Sequence, residues 1–176
     1  MIDNYDCTAD VMQHKDRVKY WIHNFISQLT GRAETHDDSK LQDPEKQMFD
    51  IWTPELKRRE FGSEEYKLAL AEMGEGLKHH YESNRHHPEH YKNNVNGMTI
   101  LDITEMICDW MAVAQVKKTS VDLDYLAKRF NISDQLLEII ANTLREGDIW
   151  NEIEGIPVPY FCPTNRQDGN VEGFKR

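Results

Sequence analysis

Five of the eight histidines in this 176-residue chain lie in one short stretch, residues 77–91, which reads LKHHYESNRHHPEHY. They are His79, His80, His86, His87 and His90. Neutral imidazole is the commonest metal ligand among protein side chains. The stretch therefore predicts one part of a metal site whose remaining ligands come from elsewhere in the chain. The alternative is a solvated surface segment.

The pair His36-Asp37, in the segment THDDSK, is a second candidate for metal binding. Adjacent side chains on a helix project about 100° apart, so both can reach one ion that lies between their directions. Imidazole nitrogen and carboxylate oxygen together suit Zn, Fe, Mn, Co or Ni. A His-Asp dipeptide also occurs by chance, so its weight depends on which other ligands accompany it.

Two single residues strengthen this interpretation. His14 lies on the apolar stripe of a helix expected over residues 8–29, where a histidine is either a ligand or a satisfied core residue. Asp109 lies at the edge of a strongly apolar helix, and an unpaired charge there is costly to desolvate. No lysine or arginine occurs between residues 93 and 116 to pair with it, which favours a metal ion. Glu105, one turn earlier, could orient a ligand histidine.

Helices must position these residues, because apolar side chains recur at steps of three and four and no alternating strand pattern persists. The expected helices cover residues 8–29, THDDSKL, one or two segments within 44–61, a segment opened by Ser63, residues 100–117 after a Thr99 cap, 123–130, and a last helix after Ser133. Gly31 and Gly147 are expected to end the first and last helices, and Pro88 to break the chain. We therefore predict an all-α fold, with a single helical domain over residues 1–154 and an irregular tail over 155–176.

The chain is acidic, with a formal net charge of −10. Long nucleic acid is therefore a disfavoured partner, whereas a small anionic substrate is compatible because a bound metal supplies local positive potential. No apolar run approaches the ~20 residues that span a bilayer, so no membrane partner is expected. The three cysteines lack CxxC spacing and indicate reduced thiols in a cytoplasm.

The order His, His-Asp, Asp over separate helices resembles the signature of the HD-domain metal-dependent phosphohydrolase superfamily. The blocks QHKDRVKYW, THDDSKL, HYESNRHHPEHY and EMICDWMA are similar to those of a group of small phage and bacterial proteins of unassigned function. Ser39 stands where the HDxGK form of the motif has glycine, and Lys40 matches its lysine. Over residues 10–117 the resemblance implies an HD-type helical bundle in a bacterial cytoplasm, encoded by a bacterium or a phage.

The resemblance also implies one or two divalent ions, of Fe, Mn, Zn, Co, Ni or Mg. The seven candidate ligands are His14, His36, Asp37, His80, His86, His87 and Asp109. The first ion is bound by His14, His36, Asp37 and Asp109, and Asp37 bridges to the second. That second ion is held by His80 and by either His86 or His87. Positions 80 and 87 share a face on a continuous helix, but Pro88 can distort the turn, so both alternatives stay open.

We expect from this pattern an enzyme, a phosphohydrolase that acts on a small phosphorylated substrate such as a nucleotide. Asp37 and Lys40 are the predicted catalytic residues, and Lys40, Asn84 and Arg85 are the predicted substrate contacts. Two alternatives stay open: a di-iron oxygenase of the HD type, which uses the same ligand set, and a non-catalytic fold that binds a nucleotide or a protein. Related HD proteins often pair, so a homo-oligomer is a further expectation, although no sequence signal indicates one.

Overall fold

The computed structural model describes residues 5–60 and 62–146, and every regular element in these ranges is helical, which confirms the predicted all-α class. The α-helices are α1 (Thr8–Thr35), α2 (Glu45–Lys57), α3 (Glu64–Glu72), α4 (Gly74–Ser83), α5 (Ile100–Lys117), α6 (Leu123–Phe130) and α7 (Asp134–Glu146). Short 3₁₀ helices cover Asp38–Leu41, Pro88–His90 and Asn94–Gly97. None of the helices in the described ranges is long and apolar enough to cross a lipid bilayer.

The helix α1 is longer than the sequence predicts. The expected stop at Gly31 is wrong, because α1 continues to Thr35 and ends at His36, whose backbone is no longer helical. A glycine inside a helix costs only about 1 kcal/mol relative to alanine, which the intact turns on both sides outweigh. The predicted second helix through THDDSKL is also wrong, since only a single 3₁₀ turn, Asp38–Leu41, forms there.

The first of two compact units of the chain runs to Asp109. Its buried apolar residues are Ala69, Met73, Val95, Leu101 and Met106. The helices α2 and α4 approach each other closely at Gly76, where a Cβ atom would lie 2.8 Å from side-chain atoms of Met48. Glycine at this position therefore allows α4 to pack closely against α2, where His80 of α4 contacts Glu45 of α2.

The second unit begins at Trp110 and is described as far as residue 146. Its core consists of Ala114, Val121, Leu123, Phe130, Ile132, Ile140, Ala141 and Leu144. The predicted Ser133 cap is confirmed, because its hydroxyl accepts a hydrogen bond from the backbone N–H of Leu136. The predicted domain end at residue 154, the stop at Gly147 and the irregular tail lie outside the described residues.

Candidate metal centre

Four of the predicted ligands form one cluster: Asp37, His80, His86 and His87. One ligand atom from each lies within 4.8 Å of the others. Asp37 lies between α1 and the first 3₁₀ turn, with a left-handed backbone (φ 60°) that aims its carboxylate inward. The three histidines come from α4 and from the loop that follows it. Both histidines between which the sequence left the choice open, His86 and His87, lie in the cluster.

Two further predicted ligands, His36 and Asp109, lie beside this cluster. His36 Nε2 is 3.6 Å from Asp37 Oδ2 and 3.8 Å from Asp109 Oδ1. The other oxygen, Asp37 Oδ1, lies 3.5 Å from Nε2 of both His80 and His86. Asp37 therefore separates two groups of ligands, which is the position expected of a bridging carboxylate.

The structure does not bring His14 to the cluster. His14 lies 22 residues before His36 on α1, which places it about 33 Å away along a continuous helix. Its helical stripe is also exposed, since no residue of α1 is buried. The predicted burial of His14 is therefore wrong. The apolar periodicity of the stripe is real, but the described residues of this chain do not cover it.

A buried carboxylate that the sequence analysis missed orients two histidines. Glu45, at the start of α2, has no exposed surface, and its oxygens lie 2.8 Å from His80 Nδ1 and 2.7 Å from His79 Nδ1. The Ser39 hydroxyl donates a third hydrogen bond to it. Because a carboxylate only accepts, the Nδ1 atom of His80 carries the proton. Its Nε2 lone pair therefore faces His87 Nε2 at 2.8 Å and Asp37 Oδ1 at 3.5 Å.

Glu105 on α5 orients two further histidines, His36 and His86, in the same way. Its Oε1 atom lies 3.0 Å from Nδ1 of His36 and 3.2 Å from Nδ1 of His86. Both imidazoles therefore turn Nε2 toward Asp37, as a carboxylate that orients metal-binding histidines would require. This is the role that the sequence suggested for Glu105.

Two buried polar atoms at the centre of the cluster have no hydrogen-bond partner, Asp37 Oδ1 and His86 Nε2. Since Nδ1 of His86 is turned to Glu105, its Nε2 lone pair faces a carboxylate oxygen 3.5 Å away. Two acceptors so placed repel each other unless a cation lies between them. A tetrahedral ion with bonds of about 2.1 Å holds its ligand atoms about 3.4 Å apart. These residues therefore fit a divalent metal ion.

The electrostatics of the cluster favour neutral imidazoles. Burial lowers the pKa values of His80 and His86, and burial together with its histidine neighbours lowers the pKa of His87 to about 3. Burial opposes ionisation of Asp37, but the Lys40 ammonium outweighs it and lowers the pKa of that carboxyl. Neutral imidazoles beside an ionised carboxylate form a ligand set that needs no proton removed before a metal binds.

His36 differs from the other three histidines. Its contact with Asp109, supported by Glu105, overcomes the effect of burial and raises the pKa of His36 to about 9. Without metal, the ring therefore carries a positive charge at neutral pH. The site thus has two halves. In the half formed by His36 and Asp109 the imidazole is protonated, and in the cluster of Asp37, His80, His86 and His87 the imidazoles are neutral.

The predicted catalytic and substrate-binding residues differ in what they contact. Lys40 lies at the cluster, with Nζ 2.5 Å from Asp37 Oδ2 and over the ring of Phe49. Asn84 instead donates to the Ser39 hydroxyl and to the backbone carbonyl of His80. Its amide nitrogen therefore links the loop to Ser39 and to the end of α4.

Arg85 is paired within the protein. Its Nε and Nη2 atoms lie 3.0 and 3.2 Å from the two oxygens of Asp102, which is fully buried. Arg32 of α1 binds the same carboxylate, which also accepts a hydrogen bond from the backbone N–H of Thr99. The Thr99 hydroxyl accepts a hydrogen bond from the backbone N–H of Asp102, which confirms the predicted cap of α5. Asp102 therefore fastens the end of α1 and the histidine loop to the start of α5.

Comparison with known sequences places the chain in a family. The model of DUF5662, a family of unknown function, matches residues 3–146. The chain belongs to the DUF5662 family. No curated protein and no solved structure matches it.

The DUF5662 match includes the whole candidate centre. All the residues that converge on Asp37, and the carboxylates that orient them, lie between positions 36 and 109. The match also includes α1 and ends at residue 146, before the C-terminal segment. The candidate metal centre therefore lies entirely within the part of the chain that matches DUF5662.

Proposed function

We propose that this protein is a metal-dependent phosphohydrolase that acts on a small phosphorylated substrate such as a nucleotide. The observation that carries the proposal is the pair of buried acceptors, Asp37 Oδ1 and His86 Nε2, which face each other without a partner. A buried polar atom without a partner costs about 1–3 kcal/mol, and a cation would relieve both.

The first ion to bind would occupy the four-residue cluster around Asp37 Oδ1, which corresponds to the second-ion site expected from the sequence. Its histidines are neutral, and Glu45 orients His80 while Glu105 orients His86 before metal arrives. A second ion would need His36, Asp109 and the other oxygen of Asp37. In that half of the site, protonated His36 and Lys40 already balance the negative charge of the carboxylates. We therefore expect an ion to bind there only when His36 loses its proton and Lys40 moves away from Asp37.

A bound divalent ion would supply an activated water and polarise a phosphoryl oxygen. The chain itself contributes Lys40, whose ammonium lies on Asp37 and would neutralise charge that develops on the phosphoryl group. The net charge of −10 disfavours a polymeric anion and leaves a small one acceptable. The resemblance to HD-domain phosphohydrolases supports the same reaction class.

The proposal is tested by metal content and by phosphate release. Protein without a histidine tag is reconstituted with Mn²⁺, Fe²⁺ or Zn²⁺, desalted and analysed by mass spectrometry, and then given nucleoside mono- and triphosphates. We expect one or two ions per chain and release of inorganic phosphate. Both should be lost in Asp37→Asn and kept in His90→Ala, because His90 belongs to the same histidine stretch but lies outside the cluster.

The possible results separate the competing functions. Absence of bound metal after reconstitution would overturn the proposal. Bound iron with oxygen consumption and no phosphate release would replace it with the di-iron oxygenase. Bound metal without either reaction on any substrate class tested would leave a binding protein in its place.

A further inference from the structure

The helix α1 presents a long apolar face that the other described residues of its own compact unit leave exposed. Its large exposed side chains on this face are Val11, Val18, Trp21, Ile22, Phe25 and Ile26. Their exposed fractions run from 42% for Val18 to 60% for Trp21. Such exposure is unusual for six large apolar side chains on one helix and marks an interaction surface.

These side chains form one stripe. Val11, Val18, Ile22 and Phe25 follow each other at steps of seven, four and three, which keeps them on one side of a helix. Among the described residues, no hydrogen bond or ion pair joins positions 8–31 to another element. The first such contact is that of Arg32 with Asp102. The face is therefore open along most of α1.

The area of this stripe matches what a dimer needs. A fully buried aromatic side chain covers about 150–250 Å², so the half-exposed Trp21 and Phe25 offer roughly 200 Å² together. With the four aliphatic side chains the face offers roughly 500–600 Å², and two such faces reach about 1,000–1,200 Å², the lower limit for a specific protein interface.

We infer that a second copy of this chain covers the face, with the two α1 helices packed antiparallel about a two-fold axis. A two-fold interface requires a surface that is complementary to itself. With an axis near residue 20, Val18 would lie opposite Ile22 and Val11 opposite Leu29 of the second copy. Trp21 and Phe25 would lie opposite Lys19 and Lys15, whose methylene stems can pack on aromatic rings. No Asp, Glu, Lys or Arg occurs from position 20 to 31 to oppose a like charge.

The area of the face and the absence of charged residues between positions 20 and 31 favour a second copy as its occupant. The antiparallel arrangement is also favoured by the opposite directions of the two helix dipoles.

Light scattering coupled to gel filtration tests the inference on the full chain at micromolar concentration. We expect the mass of two chains for the unmodified protein and half that mass for Ile22→Glu. Tyr20→Glu is the matched control, because Tyr20 is 63% exposed on the same helix but lies about 200° around it from Ile22. It should keep the mass of two chains. Circular dichroism checks that both variants are equally helical.

Cysteine cross-linking tests the orientation separately, so the inference stays testable even if Ile22→Glu does not fold. Cys7, Cys108 and Cys162 are replaced by serine, and Val11→Cys is combined with Leu29→Cys. Oxidation should join two chains in the double variant but not in Val11→Cys alone. A monomeric unmodified protein, a dimer that survives Ile22→Glu, or cross-linking of Val11→Cys alone would each overturn the arrangement.

Discussion

Glu45 Oε2 lies 2.8 Å from Nδ1 of His80, although 35 residues separate them in the sequence. The carboxylate is fully buried, and it fixes which nitrogen of His80 faces the cluster. Burial opposes its ionisation, but the hydrogen bonds from His79, Ser39 and His80 outweigh burial and lower the pKa of Glu45. The orientation of the ligand is therefore set before any ion arrives.

Glu45→Gln should weaken metal binding by about 10–100-fold, because a neutral amide accepts the hydrogen bond from His80 Nδ1 less strongly than a carboxylate does. Titration calorimetry with Zn²⁺ or Mn²⁺ measures the change. Glu55→Gln, on the same helix but paired only with its neighbours Arg58 and Arg59, is the control and should bind metal normally. Equal affinity of the two variants would contradict the orienting role.

Asp37→Asn should remove the bound ion while preserving the local backbone. Asparagine tolerates the left-handed conformation of this residue, so the substitution changes charge more than geometry. Asp37→Ala changes both, and should also lower the melting temperature. Elemental analysis and thermal melts of the two variants separate these effects. Full metal content in Asp37→Asn would mean that the ion binds elsewhere.

Metal binding to the two halves of the site should differ in its pH dependence. The pKa of His36 is about 9, so at neutral pH a proton must leave before this ring can bind an ion. Affinity in that half should therefore rise about tenfold per pH unit up to pH 9 and then level off. The cluster around Asp37 Oδ1 should show no such rise, since burial lowers the pKa values of its histidines.

Calorimetry in buffers of different ionisation enthalpy counts the protons released. We expect about one proton with the second ion at pH 7 and close to none with the first. His36→Ala should abolish the pH-dependent step and leave the other. Proton release with the first ion would reverse the assignment of the two halves.

Asp102→Asn should destabilise the fold by about 1–3 kcal/mol, because the fully buried carboxylate accepts hydrogen bonds from Arg32, Arg85 and Thr99 that an amide replaces only in part. Urea unfolding measures the change. Asp50→Asn removes an exposed ion pair with Lys46 on α2 and should cost less than about 1 kcal/mol. A loss of similar size in both variants would contradict the anchoring role of Asp102.

The same carboxylate should make stability depend on pH in the acid range. Burial opposes ionisation of Asp102, but the hydrogen bonds from Arg85 and Thr99 outweigh it and hold the pKa well below its usual range. Its contribution is therefore complete above the unfolded pKa of about 3.9 and is lost as pH falls through the lower folded value. In Asp102→Asn this part of the acid dependence should disappear, which unfolding curves between about pH 2 and pH 5 would show.

Residue type and spacing were enough to predict most of the candidate ligands. His36, Asp37, Asp109 and the histidines at 80, 86 and 87 are chemically distinctive, and the structure brings them together. The Thr99 cap was predictable for a similar reason, because its partner lies only three residues away. Local patterns of this kind need no knowledge of tertiary contacts.

The remaining features depend on contacts that the sequence does not reveal. Glu45 lies in a polar, charged segment and becomes an orienting group only because α2 packs against α4. Arg85 has a side chain of a type that often binds phosphate, but it pairs with Asp102, which lies 17 residues further along the chain. His14 shares the period of a buried stripe, and periodicity cannot tell burial in one chain from an interface between chains.

The 28 residues of α1 form one unbroken rod of about 42 Å, with the open apolar face toward one end and His36 at the other. Arg32 in the last turn of α1 pairs with Asp102 and Glu105, so the helix that carries the exposed face is also tied to the residues around the candidate site. If the proposed dimer forms through that face, metal affinity at the candidate site should depend on protein concentration.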